Sequence, residues 1–419
     1  MERRTIGAAA LAVGAVGLGC MPMHWAYTAS RRHGEQSLRT VHAALDVGAT
    51  LLDTADMYGP FTNELLVGRV LRERRQDAFV STKVGLLVGD RHVVAHGRPG
   101  YVRRACDASL RRLQTDVIDL YQLHCADPEV PVEETWGAMA ELVGAGKVRA
   151  LGVCALGAHG AGAGSASTDT TARGGRWRGA ARSTGLGEVP YPGPGPGGQV
   201  RPQPGAGSGG AGQGFSMGVR GDATAFPTSA TFPAGGAFPA GAAASGPTGG
   251  SFPHAHAGTI RQLERIQQVF PVSTVQAELS VWSPEALDRL LPWCEARGVG
   301  FLAAMPLGNG FLSGTLTPGQ GFEPDDIRAR HPRFTAEMMA ANQPVVSGLR
   351  RIAARHGAGT TPAQVALAWV LAQGRHVVAV PGTKRVEWAV ENAGAAGLAL
   401  SARDLDEIRE LPPAKGSWD

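Results

Sequence analysis

Short apolar segments alternate along this chain with segments whose apolar residues recur at helical spacing. The apolar segments predict eight strands, at residues 13–18, 50–52, 78–82, 117–123, 148–153, 273–279, 300–304 and 376–380. The periodic segments predict helices, at residues 38–45, 65–71, 101–113, 132–143, 259–270, 287–294, 338–356 and 362–372. Strands that alternate with helices indicate a parallel sheet, and eight such units indicate a (β/α)8 TIM barrel.

One long segment interrupts this alternation. Residues 157–257 contain 27 of the 59 glycines, one leucine (Leu186), no isoleucine and no lysine. Such a composition buries too little apolar surface to offset the entropy of ordering, which predicts a disordered, low-complexity insert between strand 5 and helix 5. The chain is therefore expected to contain one barrel in two parts, 1–156 and 258–419, separated by the insert.

The insert carries three weaker patterns. Phe-Pro pairs recur within it, a cluster of arginines surrounds Trp177, and His254 and His256 lie two residues apart. Partner binding, contact with anionic surfaces and metal binding are possible interpretations, but solvated disorder accounts for all three, and we expect no metal site. The abrupt change of composition also allows the hypothesis that 157–257 is not natural coding sequence.

Composition restricts the expected partners and compartment. The net charge is +4 and the pI is near 8.9, which favours small anionic ligands and does not require nucleic acid. Five cysteines without a Cys-x-x-Cys motif indicate a reducing compartment, and no apolar run is long enough to span a membrane. We expect a cytoplasmic protein, monomeric or weakly self-associating.

The N-terminus resembles an export signal. Arg3 and Arg4 precede a small, apolar run that ends at Cys20, as in twin-arginine or lipoprotein signals. Cleavage before Cys20 would remove a glycine-punctuated strand pair just before the first helix. We therefore expect an N-terminal β-hairpin and the first barrel strand here, and not a signal or a dinucleotide-binding fingerprint.

Four polar side chains follow the predicted strands 2, 3 and 4. They are Asp53, Tyr58, Lys83 and His124, and strand ends of a barrel meet at one mouth, where barrel enzymes carry their chemistry. Singly, each has an ordinary interpretation: a helix cap, a half-buried aromatic, a surface charge and a core histidine. Together they form a proton-donating set, because a nearby ammonium is expected to lower the pKa of a phenol.

These residues carry a resemblance to a known family. The segments Leu52-Asp53-Thr54-Ala55-Asp56-Met57-Tyr58-Gly59, Asn63-Glu64, Ser81-Thr82-Lys83 and Tyr121-Gln122-Leu123-His124 resemble the aldo/keto reductase superfamily. The resemblance implies NADPH-dependent, reversible reduction of an aldehyde or ketone by an oxidoreductase. It also implies that Tyr58 donates the proton, that Lys83 and Asp53 tune it, and that His124 orients the carbonyl.

The same resemblance implies a cofactor site. Its residues are Gln276 for the nicotinamide amide, Pro306, Leu307, Gly308 and Gly310 for the pyrophosphate, and Gly382, Thr383, Lys384, Arg385, Glu391 and Asn392 as a nucleotide clamp. Independently, a strand-to-helix turn with two cations suits a phosphate and favours NADP over NAD, although an ordinary basic turn is the alternative.

The chain departs from the family pattern beside the nicotinamide. Cys154 and Ala155 stand where Ser-Asn is common, and Met305 stands where Ser is usual. Trp25, Met57 and Trp282 correspond to substrate-pocket positions but are equally compatible with an ordinary core. An alternative function is therefore a nicotinamide-binding regulatory module resembling potassium-channel β subunits, with the insert as a partner-binding arm.

Overall fold

A parallel barrel is the main body of the computed structural model, which describes residues 1–7, 11–27, 34–88, 93–155 and 255–416. The strands are β1 (Arg3–Ile6), β2 (Leu11–Gly14), β3 (Leu18–Gly19), β4 (Leu51–Asp53), β5 (Phe79–Val84), β6 (Leu86–Val88), β7 (Val93–Ala95), β8 (Ile118–Leu123), β9 (Val148–Ala155), β10 (Thr274–Glu278), β11 (Gly300–Ala304) and β12 (Val377–Val380). The helices are α1 (Gly34–Asp46), α2 (Thr62–Arg74), α3 (Pro99–Leu113), α4 (Val132–Gly144), α5 (Ala257–Gln267), α6 (Leu290–Ala296), α7 (Ala336–Ala341), α8 (Gln343–Arg355), α9 (Pro362–Ala372), α10 (Val386–Gly394) and α11 (Ala402–Arg409).

Eight parallel strands form the barrel wall, in the order β12-β11-β10-β9-β8-β5-β4-β3. Parallel bridges from Val16 to Ala379 and from Gly19 to Gly382 close it. The contact between Gly19 and Gly382 requires small residues, because a Cβ on Gly382 would lie 2.8 Å from the Pro22 side chain. The predicted (β/α)8 TIM barrel is confirmed.

The N-terminal hairpin of β1 and β2 covers the floor of the barrel. Ile6, Leu11 and Val13 pack against residues near the starts of the barrel strands, including Leu51 and Phe79. Helices cover the outside of the wall, so that the strands are buried on both faces. The predicted hairpin is thus a plug that leaves only the opposite end of the barrel accessible.

Arg4, one of the two arginines that resembled an export signal, is built into this floor. Its guanidinium is 7% exposed and donates to the carbonyls of Leu371, Gly374 and Val377 at 3.1, 2.8 and 2.6 Å. Leu371 lies in the last turn of α9, Gly374 follows the helix and Val377 begins β12, so Arg4 connects the end of α9 to the last strand of the barrel.

Three local predictions differ from the structure. The predicted strand 13–18 divides between β2 and the two-residue β3, because Gly14 already belongs to the hairpin and pairs with Arg3. The predicted helix 338–356 is two helices, α7 and α8, since α8 begins anew with Pro344 in its first turn. The predicted loop after Lys83 contains an antiparallel hairpin, β6 and β7.

The predicted insert falls mostly outside the described residues. Strand β9 ends at Ala155 and α5 begins at Ala257, and β9 and β10 pair in parallel across the gap, with Gly152 opposite Thr274. The Phe-Pro pairs, the arginine cluster and His254 all lie outside the described residues. His256, which is described, is buried just before α5. None of the described helices is long and apolar enough to cross a membrane.

Replacing Arg4 with methionine is expected to lower the free energy of unfolding by about 3 kcal/mol, because three buried carbonyls lose a charged donor. Urea unfolding would measure the change. Arg3→Met is the matched control, since the exposed Arg3 makes one bond to the Ala12 carbonyl. Equal stability of the two variants would contradict a role for Arg4 in holding the floor.

Candidate active site

Four buried side chains meet at the open end of the barrel. Asp53 ends β4, Lys83 lies near the end of β5, His124 follows β8, and Tyr58 lies in the loop between β4 and α2. They are 5, 1, 7 and 6% exposed, respectively. Since Lys83 is almost fully buried, its interpretation as a surface charge is wrong, and the four predicted residues do come together.

Lys83 is the centre of this group. Its ammonium donates to Asp53 Oδ2 at 2.7 Å and to the Thr54 carbonyl at 2.8 Å. Its charge also acts on Tyr58, whose pKa it lowers, and its Nζ lies 5.3 Å from the centroid of the Tyr58 ring. An ammonium has three donors, and the bonds to Asp53 and Thr54 use two of them to hold it beside the phenol. The ring of His124 contacts the Tyr58 ring edge-on, with centroids 5.9 Å apart.

Burial changes the protonation expected from the sequence. Burial raises the pKa of the Tyr58 hydroxyl, and Lys83 offsets this rise only in part. The expectation that Lys83 gives Tyr58 a lowered pKa is therefore wrong in its net direction, because desolvation of a buried phenolate outweighs the ammonium. Tyr58 consequently keeps its proton at neutral pH.

The pKa values of Lys83 and His124 are shifted in opposite directions. Burial alone would lower the pKa of Lys83, but Asp53, together with Tyr58 and Cys154, raises that pKa above its ordinary value. Burial, reinforced by Lys83, lowers the pKa of His124 well below its ordinary value. At neutral pH the site therefore contains a charged ammonium, a protonated phenol and a neutral imidazole.

A ring of hydrogen bonds surrounds the carboxylate of Asp53. Ser81 donates to its Oδ1 at 2.9 Å and Gln276 to its Oδ2 at 3.0 Å, while Gln122 donates to Ser81 Oγ at 2.8 Å and to Gln276 Oε1 at 3.2 Å. The sequence analysis missed Ser81 and Gln122. Both lie two residues before a predicted site residue, Lys83 or His124, and the two-residue period of a strand would have placed them on the same face.

Hydrogen bonds also fix the loop that carries Tyr58. Asn63 accepts from the Thr54 hydroxyl at 2.6 Å and donates to the Cys20 carbonyl at 2.9 Å. Gly59 has a φ of 62°, and a Cβ there would lie 2.7 Å from the Cβ of His24, so the turn after Tyr58 requires glycine. Asn63 was part of the recognised motif, and its side chain ties the Tyr58 loop to the end of β3.

An apolar cluster surrounds Tyr58. Ala55, Met57 and Tyr58 are its buried members, and the partly buried side chains packed against them are Met21, Trp25, Leu86, Val88 and Val93. Trp25 and Met57 were predicted for a substrate pocket and do lie here. The β6–β7 hairpin supplies three of the other side chains, which the sequence analysis missed because the segment was predicted as a loop.

Trp282 lies in a different cluster. Its ring contacts those of Phe311 and Phe334, with centroids 4.3 and 5.9 Å away, and a Cβ on Gly308 would lie 3.2 Å from it. The structure therefore does not bring Trp282 together with Tyr58. It packs against the loop that follows β11, because the aromatic residues of that loop provide the larger apolar surface.

The loop after β11 contains the residues predicted to contact a pyrophosphate. Pro306 and Leu307 lead into a 3-10 segment, Gly308–Ser313, in which Gly308, Asn309 and Gly310 have φ values of 52°, 51° and 92°. Left-handed residues let the backbone turn sharply here, and the Gly308 and Gly310 N–H groups donate to the carbonyls of Met305 and Leu307 at 2.9 and 3.0 Å. A Cβ on Gly310 would meet only the Arg328 guanidinium and Leu316, at 3.7 and 4.0 Å.

The turn after β12 contains most of the predicted nucleotide clamp. Gly382 closes the barrel, the buried Thr383 accepts from the Arg385 backbone N–H at 3.1 Å, and Lys384 is half-buried. Helix α10 begins directly after Arg385, with no capping side chain. The Arg385 guanidinium is partly exposed and lies 4.5 Å from the centroid of Trp388.

The last two predicted clamp residues lie further along α10. Glu391 accepts from the Thr361 hydroxyl at 2.6 Å, and its backbone carbonyl accepts from Gln364 at 3.0 Å. Thr361 and Gln364 form the capping box of α9, so Glu391 ties α10 to the start of α9. Asn392 is buried beside it in α10.

The nicotinamide side of the site differs from the expectation. The amide of Gln276 is bound at both ends within the ring around Asp53, and Ala155 has no polar side chain to offer. Burial raises the pKa of the Cys154 thiol to about 12, so that this residue is a neutral thiol and not a nucleophile. All five cysteines are free. No group of three or more His, Cys, Asp or Glu side chains that could hold a metal occurs within the described part of the chain.

A parallel barrel with a buried Tyr–Lys–Asp–His group at its mouth is the architecture of a carbonyl-acting oxidoreductase. The sequence model described as "Aldo/keto reductase family" matches residues 15–160 and 256–412, so it covers both parts of the barrel. This chain belongs to the aldo/keto reductase family.

Individual proteins are similar over nearly the whole chain. The probable aldo-keto reductase 1 of Glycine max is 29% identical over 410 residues, which are 97% of this chain and 88% of that protein. A glycerol dehydrogenase from Gluconobacter oxydans has a TM-score of 0.65 at 23% identity, covering 97% of this chain and 94% of its own. An aldo-keto reductase from Klebsiella pneumoniae in complex with NADPH has a TM-score of 0.57 at 23% identity, covering 99% and 96%. At these identities, the two structures support the fold alone.

The neutral His124 predicts a stability that falls in acid. The unfolded chain takes up a proton near the ordinary histidine pKa of about 6.5, whereas the folded protein does not, so the free energy of unfolding decreases as the pH falls. Between pH 6.5 and 5, His124 should account for a loss of about 1.5 kcal/mol. Urea unfolding across this range should give a flatter pH dependence for His124→Gln than for the unchanged protein.

The control for this measurement is His42→Gln on the half-exposed surface of α1. It should leave the pH dependence unchanged. If His124→Gln and His42→Gln have the same pH dependence, the imidazole of His124 is not held neutral by the fold.

Proposed function

We propose that this protein reduces an aldehyde or ketone to the alcohol with NADPH, with Tyr58 as the proton donor, and that the reaction is reversible. The observation that supports this most strongly is the arrangement around Lys83. Asp53 and Thr54 hold its ammonium beside Tyr58, with Nζ 5.3 Å from the ring centroid, and burial keeps this phenol protonated.

The proposed roles follow from these contacts. NADPH supplies a hydride to the carbonyl carbon when it is bound. Tyr58 gives its hydroxyl proton to the carbonyl oxygen as negative charge develops there, and Lys83 stabilises the phenolate that remains. Asp53 holds Lys83 in place. The neutral His124, beside Tyr58, is suited to hydrogen-bond the carbonyl oxygen and orient it.

The residues after β11 and β12 fit NADPH. The absence of a side chain at Gly310 leaves space for a pyrophosphate to approach the backbone, and the uncapped start of α10 suits a further phosphate. Lys384 and Arg385 supply the positive charge that distinguishes a 2′-phosphate from a hydroxyl. Gln276, Glu391 and Asn392 are retained as cofactor residues by their position, although the side chains of Gln276 and Glu391 are engaged within the protein.

The side chains around Tyr58 favour an apolar carbonyl compound. Met21, Met57, Leu86, Val88 and Val93 offer no donor or charge for a carboxylate or a polyhydroxylated substrate. The regulatory alternative is not favoured, since a sensor does not require an assembled proton-transfer group. Free cysteines are consistent with the proposed cytoplasmic location. The proposed partner is the small-molecule carbonyl substrate.

Replacing Tyr58 with phenylalanine should lower kcat for an apolar aldehyde by roughly 10²–10⁴-fold, because the proton donor is lost while the ring is kept. The change in NADPH absorbance measures turnover, and NADPH fluorescence measures binding, which should be unchanged. Tyr101→Phe on α3 is the control and should retain activity. Retention of most activity by Tyr58→Phe would rule out the proton-donor assignment.

Replacing Arg385 with leucine should weaken NADPH binding about tenfold and leave NADH binding unchanged, because only NADPH carries the 2′-phosphate. Fluorescence titration with both nucleotides measures the two dissociation constants. Arg403→Leu, on the exposed surface of α11, is the control. An equal loss of affinity for both nucleotides would assign Arg385 to the shape of the turn and not to the phosphate.

A further inference from the structure

Gln122 has no role in the implied proton-transfer group, yet it is fully buried beneath it. It lies in β8 two residues before His124, with 0% of its surface exposed. A buried carboxamide is costly unless its polar atoms are satisfied, and Gln122 Oε1 has no hydrogen-bond partner among the described residues, so the bonds of this side chain are those of its amide nitrogen. Its amide nitrogen has three acceptors within reach, namely Ser81 Oγ at 2.8 Å, Gln276 Oε1 at 3.2 Å and Asp53 Oδ1 at 3.3 Å.

The hydrogen bonds of the ring all lead from donor to acceptor toward the carboxylate of Asp53. Gln122 uses one N–H on Ser81 and the other on Gln276, and Ser81 and Gln276 then each donate to a different oxygen of Asp53. Each side chain thereby acts as a donor toward the carboxylate, an arrangement in which hydrogen bonds reinforce one another. Gln122 is the member that closes the ring, because it is bonded to both Ser81 and Gln276, each of which donates to Asp53.

The neighbouring strand leaves room for this side chain. A Cβ on Gly152 of β9 would lie 3.1 Å from Gln122 Cγ and 2.4 Å from Thr274 Oγ1. Gly152 and Cys154 share one face of β9. The side chain of Gln122 therefore packs against Gly152, between the apolar floor and the catalytic mouth.

We propose that Gln122 is a positioning residue: by closing the ring around Asp53, it keeps the carboxylate turned toward Lys83 and thereby keeps the Lys83 ammonium beside the Tyr58 ring. This inference rests on the proposed function. Gln122 lies beside Lys83 in the ladder of β5 and β8, but its side chain donates to neither Lys83 nor Tyr58 and acts on them through Asp53. In this chain, Gln276 then binds the Asp53 carboxylate in addition to the role toward the nicotinamide amide that the family resemblance implies.

Two substitutions separate this role from a purely structural one. Gln122→Met keeps the length of the side chain and removes both donors, so kcat should fall at least about tenfold at every pH, with NADPH affinity within about twofold. Gln122→Glu keeps the shape but places a second carboxyl beside Asp53. Its activity should be low at pH 8 and recover as the pH falls toward 5.5, because a protonated glutamic acid can again donate.

Turnover of an apolar aldehyde across pH 5.5–8, NADPH titration and thermal unfolding are measured for both variants. Gln373→Glu, at the end of α9, is the control for adding a carboxylate and should follow the unchanged protein. Activity of both Gln122 variants within about twofold of the unchanged protein would overturn the proposal. It would also be overturned if the variants fail to fold, or lose NADPH binding in step with turnover, because a purely structural role would explain either result. Absence of NADPH-dependent turnover in the unchanged protein would instead refute the proposed function.

Discussion

The site depends on one buried ion pair, between Lys83 and Asp53. An ammonium that is 1% exposed remains charged only if a carboxylate and further acceptors replace its water. The pair therefore requires β4 and β5 to be adjacent, and it requires donors for the remaining lone pairs of the Asp53 carboxylate. Those donors come from β5, β8 and β10, so that the ion pair is supported by four strands of the wall and not by one loop.

The interior of the barrel is layered in a way that serves this pair. Apolar residues from the N-terminal hairpin and from the strand starts fill the floor. The polar ring around Asp53 lies above them, and Lys83, His124 and Tyr58 lie at the open end. Since successive inward-facing residues of a strand are two apart, the side chains of one layer come from alternate strands. Closure of the floor by Arg4 keeps water away from the low layers, where an unpaired polar group would be most costly.

The sequence was sufficient to predict the barrel and the meeting of four polar side chains at its open end, because the alternation of strands and helices is strong and Asp53, Lys83 and His124 stand at strand ends. The sequence was insufficient for those features of the site that depend on tertiary contacts. The net pKa shift of Tyr58 depends on how completely the apolar cluster covers it, and the β6–β7 hairpin depends on packing against Met57 and Tyr58. Trp282 has the composition of a pocket residue, but the position of Phe311 and Phe334 determines where it packs. Gln122 was passed over because a glutamine inside a strand has no distinctive pattern.

A long stretch of sequence separates β9 from α5, but the parts of the barrel on its two sides are in direct contact. On its two sides, β9 pairs with β10, the Trp136 indole donates to the Phe270 carbonyl at 2.9 Å, and Glu133 of α4 binds Arg265 of α5 through two bonds of 2.6 and 2.7 Å. The two barrel segments thus recognise each other through a sheet register, a helix packing and a bidentate ion pair. A protein with these contacts is suited to fragment complementation: residues 1–155 and 255–419, produced as separate polypeptides, have the complementary surfaces needed to assemble.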